Sequence, residues 1–140
     1  MRACAILAVL LVATLSTADE KKSDKPAIKE IATKDLKIKV GPPDKGKATE
    51  PTEVTEANQL PKVGPLTPDA VKEVEKQINF DKEKLVVFAW SGSGGDKLTG
   101  AAGADGKSAV FTYSPGATDD LRRHALAFAV PKDAKVEVKK

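Results

Sequence analysis

Leu85-Val86-Val87-Phe88-Ala89-Trp90 runs directly into Ser91-Gly92-Ser93-Gly94-Gly95-Asp96, and this junction decides how the rest of the chain is read. The first half is apolar, β-branched and aromatic, the composition of a buried strand. Side chains alternate along a strand, so Leu85, Val87 and Ala89 face one way and Val86, Phe88 and Trp90 the other. The second half reads as a loop. Gly92, Gly94 and Gly95 permit positive φ and close backbone approach, which lets a small domain present backbone groups to a partner. The plainer alternative is a hairpin turn or bulge between two strands.

Working outward, Thr67-Pro68-Asp69 carries the three marks of a helix start: an N-cap hydroxyl, proline at N1 and an acid in the first turn. Val71, Val74 and Ile78 follow on one face, so the helix should run to about Gln77 and pack that stripe on a sheet. Downstream, strands over Lys97–Ala102 and Ser108–Tyr113 flank Asp105-Gly106, a strong hairpin turn. His124 to Val130 then alternates, with His124, Leu126, Phe128 and Val130 on one face and Ala125, Ala127 and Ala129 on the other. The alanine face leaves room for the helix. Val136 and Val138 suggest a last short strand, and Glu53-Val54-Thr55 a first one. Thr55 is placed to cap a turn or short helix that Pro61 halts after Leu60. These elements predict an α+β fold, a small antiparallel sheet with one main helix packed on a face.

The N-terminal third reads differently. Arg2, the apolar run Ala5–Leu15 and the small residues Ser16-Thr17-Ala18 have the layout of a signal peptide over residues 1–18, cleaved after Ala18. The charged run Asp19-Glu20-Lys21-Lys22 ends the apolar stretch well short of a membrane span. Cleavage would remove the one cysteine, Cys4, so the exported chain could form no disulfide even in an oxidising compartment. A cysteine-free secreted or periplasmic domain leans bacterial. Residues 19–51 are rich in Lys, Pro, Asp and Glu and read as a mostly disordered tether. Within it, Leu36-Lys37-Ile38-Lys39-Val40 alternates as an edge strand would, and Gly41-Pro42-Pro43 stops it. The single folded domain is expected over 52–140.

Several chemistries are excluded by what they require. The formal charge of +3 is spread among interspersed lysines and acids, and aromatic residues make up 4% of the chain. That is a solvated surface with no stacking platform, so nucleic-acid binding is not expected. Gly41 to Lys47 has the spacing of a phosphate loop. However, Ala48 offers no hydroxyl for Mg²⁺, Pro42 and Pro43 offer no N–H, and Glu50-Pro51 prevents a following helix. Ser93, Asp120 and His124 occur in the chain order of a serine hydrolase, yet no G-x-S-x-G surrounds the serine and no helical pattern follows it. His124 is the single histidine, and the acids show no metal-ligand spacing. It is read as hydrogen-bonded to a neighbour such as Asp119 or Asp120. No catalytic residue, metal or cofactor is expected.

Two binding features remain. Ser91, Gly92, Ser93, Gly94, Gly95 and Asp96 form the candidate partner-binding loop. Arg122 and Arg123 are candidate contacts for an anion or an acidic partner, the alternative being pairing with Asp119 or Asp120.

The segment Ile78 to Leu98, most specifically Phe88 to Asp96, resembles small secreted planctomycete-type proteins of unknown function. More distantly, the layout of residues 52–138 is similar to the C-terminal domain of PrcB-type protease-complex stability proteins. That family has a lead-in, an apolar strand, a glycine-rich loop and a closing apolar-Pro-Lys element. Here the lead-in Phe80-Asp81 is reversed, Ser93-Gly94-Gly95-Asp96 replaces a Thr-Gly-Gly-aromatic loop, and Val130-Pro131-Lys132 closes. The resemblance implies an exported protease as partner. The expectation is an exported, non-enzymatic domain that binds a protein through the Ser91–Asp96 loop. The alternative is a structural envelope-associated domain whose basic tether contacts anionic polymer or a membrane surface.

Overall fold

A computed structural model describes residues 27–32, 48–64 and 66–140. The signal peptide, the Leu36–Val40 strand and the Gly41–Lys47 loop read from the sequence lie outside the described residues.

The long strand expected around Leu85 is β3, Glu83–Ser93, and it pairs antiparallel along its whole length with β6, Leu121–Pro131. Short strands extend this pair on both sides. β1 (Lys29–Ile31) adds to β6, and β2 (Thr52–Val54) adds to β3, giving a four-stranded sheet in the order β1-β6-β3-β2. Helix α1 (Pro68–Gln77) begins where the sequence marks it, with Thr67 Oγ1 accepting from the Ala70 N–H at 3.3 Å. Its buried Ala70, Val71 and Val74, with Ile78 just beyond, pack on Leu85, Val87, Ala127 and Ala129. The alanines of β6 therefore do receive the helix.

The expectation of one antiparallel sheet is corrected. β4 (Lys97–Ala102), β5 (Ser108–Ser114) and β7 (Lys135–Lys139) form a second sheet, in which β5 and β7 run parallel. The cause lies in β3, whose two faces are both apolar. The helix covers Leu85 and Val87, and a second layer must cover Val86, Phe88 and Trp90. Phe111, Ala109 and Leu98 do so, joined by Val136 and Val138. Phe88, Phe111 and Phe128 meet at ring-centroid distances of 4.8, 4.9 and 6.0 Å, all inclined, as aromatic quadrupoles prefer. The fold is a sandwich of two sheets with one helix on the outer face of the larger. It is α+β, but predominantly β.

Three smaller differences accompany it. Lys29–Ile31 falls in the segment read as tether, yet Ile31 is fully buried opposite Ala127, and Ala48 joins the core between the sheets. A three-residue strand is too short to show alternation in sequence, so its partner β6 decides its conformation. Pro61 does not stop a helix but sits inside a 3-10 helix, Ala57–Lys62, whose Leu60 is fully buried. β3 also continues through Ser91, Gly92 and Ser93, because Leu121 to Arg123 pair with them.

The hairpin between β4 and β5 forms as read. Gly106 takes a φ of 66°, and Asp105 Oδ1 accepts from the Lys107 and Ser108 N–H groups at 3.0 and 2.9 Å. No helix among the described residues is long and apolar enough to cross a membrane.

The layering predicts contrasting costs for two neighbouring residues of β5. Phe111→Ala should destabilise by about 3–5 kcal/mol in urea unfolding. Val110→Ala, on the outer face of the second sheet, should cost less than about 1 kcal/mol. Equal costs would contradict the second layer.

Candidate functional site

The candidate loop lies at the end of the sandwich where the chain changes sheets twice, at Gly94–Asp96 between β3 and β4 and at 115–120 between β5 and β6. Sheet-changing links have no ladder to satisfy their backbone, so their polar groups need other partners. The structure supplies them almost entirely from within.

Asp96 is the centre. Its Oδ2 accepts from Trp90 Nε1 at 2.9 Å and from the Tyr113 hydroxyl at 3.0 Å, and its Oδ1 accepts from the Gly116 N–H at 2.7 Å. Burial pushes the Asp96 carboxyl up, but the Gly116, Trp90 and Tyr113 donors, with His124 nearby, outweigh it and leave the group below its ordinary value. Burial and the bond to Asp96 raise the Tyr113 phenol. Gly92 makes this arrangement possible, because a Cβ there would occupy the place of Asp96 Oδ2. Gly116 is equally constrained. Its Cβ would lie 2.5 Å from the carbonyl carbon of Gly95, so the two links touch backbone to backbone.

Ser93 ties the same two links together. Its Oγ accepts from the Thr118 N–H at 3.0 Å and the Gly95 N–H at 3.2 Å, and it lies 2.6 Å from Thr118 Oγ1. Thr118 Oγ1 in turn donates to Asp120. Both lone pairs of the Ser93 oxygen are thus engaged within the loop end. Asp120 also accepts from the Gly94 N–H at 3.0 Å and pairs with Arg122. The Thr118 hydroxyl, the Gly94 N–H and Arg122 together hold its carboxyl down to about 2.

His124 does not bond to Asp119 or Asp120. It stacks on Trp90 at 4.8 Å and 13°, and its Nε2 lies 2.9 Å from the Ser93 carbonyl oxygen. A carbonyl can only accept, so Nε2 carries the proton. Among the described residues no three His, Cys, Asp or Glu side chains gather where a metal ion could sit.

The loop read from the sequence is therefore shorter and less available than its glycines suggest. Ser91, Gly92 and Ser93 are strand residues, and only Gly94, Gly95 and Asp96 turn. Ser91 Oγ is buried without a partner, whereas Gly94 N–H, Ser93 Oγ and the Asp96 carboxylate are committed internally. The two arginines separate. Arg122 pairs with Asp120, as the adjacent acids suggest, while Arg123 makes no ion pair among the described residues. Two features escaped the sequence reading: the role of Asp96 as a shared acceptor, and Leu121, which is 70% exposed. A lone leucine before two arginines carries no pattern that marks it as exposed.

Substitutions should separate these roles. Asp96→Ala strands three donors and should cost about 2–3 kcal/mol, and Ser93→Ala about 1 kcal/mol. Ser91→Ala removes an unsatisfied hydroxyl and should be neutral or slightly stabilising. Asp96 and Asp120 have carboxyls lowered by folding, so the stability they contribute is complete above the ordinary value of about 4 and is lost as pH falls toward 2. Unfolding temperatures measured from pH 5 to pH 2 should fall, and less steeply in Asp120→Asn.

No protein-family model, curated protein or solved structure matches this chain.

Proposed function

We propose that this chain is an exported, non-enzymatic binding domain that engages a protein partner with the loop end of its sandwich. The observation that carries the proposal is Leu121. Among the described residues it is the one large hydrophobic side chain left exposed, at 70%. It is the first residue of β6, opposite Ser93 at the end of the β3–β6 ladder, and the two links beside it are fastened to each other by side-chain hydrogen bonds. A preorganised platform loses little entropy on binding, which favours its use as a contact surface. Arg122, steadied by Asp120, lies beside Leu121 and adds a residue type enriched at interface centres.

The binding reading thus moves from backbone presentation by Ser91–Asp96 to the side chains that this loop supports. Its glycines provide space for Asp96 and for contact between the links. An exported protease is the first partner class to test, given the likeness of layout to PrcB-type domains.

Affinity capture from the organism's own cell envelope with the chain lacking residues 1–18 tests this. Wild type should recover a partner reproducibly, and Leu121→Ser should lose it at unchanged unfolding temperature. Equal recovery by both would refute the proposal.

A further inference from the structure

Asp105-Gly106 is the one place in the chain where an aspartate or asparagine precedes a glycine. That pair carries a covalent chemistry of its own. The Gly106 nitrogen bonds to Asp105 Cγ, and its proton leaves with the carboxyl hydroxyl as water. The five-membered imide then takes up water at the backbone carbonyl carbon of Asp105, and the chain runs on through the side chain as isoaspartate. Glycine permits the step because no Cβ hinders approach to its nitrogen. The step needs a carboxyl group free to turn toward residue 106, in its acid form, and a Gly106 nitrogen free to face Cγ.

The hairpin withholds all three. Asp105 Oδ1 accepts from Ser108 Oγ at 2.7 Å, from the Ser108 N–H at 2.9 Å and from the Lys107 N–H at 3.0 Å, which commits it to groups beyond Gly106. The Lys107 amide and the Ser108 hydroxyl also hold the carboxyl below its ordinary value, in the ionised form that has no hydroxyl to lose. The Gly106 N–H donates to the Gly103 carbonyl at 3.1 Å, which fixes the plane of its peptide. Ser108 anchors the arrangement. It is buried, its carbonyl accepts from the Gly103 N–H at 2.8 Å, and it pairs with Lys135 of β7, whose N–H reaches the Lys107 carbonyl at 3.0 Å.

We infer that Asp105 is a latent isoaspartate site, closed in the native hairpin and opened when its carboxylate is released from Ser108. The inference stands apart from the binding reading above, because this turn lies at the other end of the second sheet from the two links. Conversion adds one carbon to the backbone between β4 and β5, next to the pair Ala102 and Ala109 that closes their ladder.

Prolonged incubation of the chain in warm, mildly acidic buffer tests this, once native and once unfolded in guanidinium chloride. Lys-C digestion releases the Leu98–Lys107 peptide, in which electron-transfer fragmentation separates isoaspartate from aspartate of equal mass. The unfolded chain should accumulate isoaspartate at residue 105 about tenfold faster than the native one, or more. Ser108→Ala removes one of the three donors, and should speed the native reaction by about three- to tenfold and the hydrogen exchange of the Gly106 amide with it. Ser93→Ala, a hydroxyl deletion at the opposite end of the sandwich, should leave both at the wild-type rate. Unfolding temperatures verify that each variant is folded during incubation, and the comparison of native with unfolded wild type needs no variant.

Equal rates in the native and unfolded chain would show that the hairpin does not close the site. An unchanged rate in Ser108→Ala, or equal acceleration by Ser93→Ala, would show that release from Ser108 does not open it. Any of these results would overturn the inference.

Discussion

The antiparallel ladder between β3 and β6, eleven residues on each strand, is the wall that both cores share. Its cross-strand pairs set large against small on the helix side, Leu85 with Ala129 and Val87 with Ala127. On the other side they set large against large, Val86 with Phe128 and Phe88 with Leu126. The small pairs let α1 approach the backbone closely, and the large pairs fill the wider gap between two sheets. A one-residue slip of this ladder would exchange the two faces, placing phenylalanines under the helix and alanines between the sheets. Register here therefore determines the position of every other layer. The short strands β1 and β2 are consequences of it, since each extends a surface that the ladder has already built.

At the loop end the same wall sets a second requirement. Two links leave it for the second sheet, and neither can continue a ladder while crossing between sheets. Asp96 answers for both. It lies on one link, receives the Gly116 N–H of the other, and holds Trp90 of β3 and Tyr113 of β5 from the two facing sheets. Ser93, Thr118 and Asp120 repeat the device closer to solvent. Glycine richness at this end consequently means proximity and not mobility: Gly92 yields space to a carboxylate, and Gly95 and Gly116 let two backbones meet. The exposed Leu121 is thus displayed on a braced support.

Features governed by neighbours in sequence were legible there. The cap at Thr67, the stripe Val71, Val74 and Ile78, the Asp105-Gly106 turn and the alternation of β6 all act within a few residues. The second sheet was not read, although Val86, Phe88 and Trp90 needed cover that one helix on the opposite face could not provide. What sequence patterns hide is pairing at a distance. Asp96 finds its partners 6, 17 and 20 residues away, and nothing in Gly-Gly-Asp-Lys distinguishes such an acid from a turn residue. Ser91 to Ser93 have the composition of a loop, and β6 makes them strand. Propensity yields where a complete ladder stands opposite.

The Arg122-Arg123 pair shows most directly what strand geometry does to a sequence motif. As a dipeptide it reads as one basic patch. On a strand, successive side chains leave by opposite faces, so two adjacent arginines meet different neighbours. Arg122, opposite Gly92, shares the face of His124 and turns to Asp120, where its charge is matched. Arg123, opposite Ser91, shares the face of Ala125 and makes no ion pair among the described residues. The charge of Arg122 is matched in bracing the two links, and that of Arg123 is not drawn into the brace.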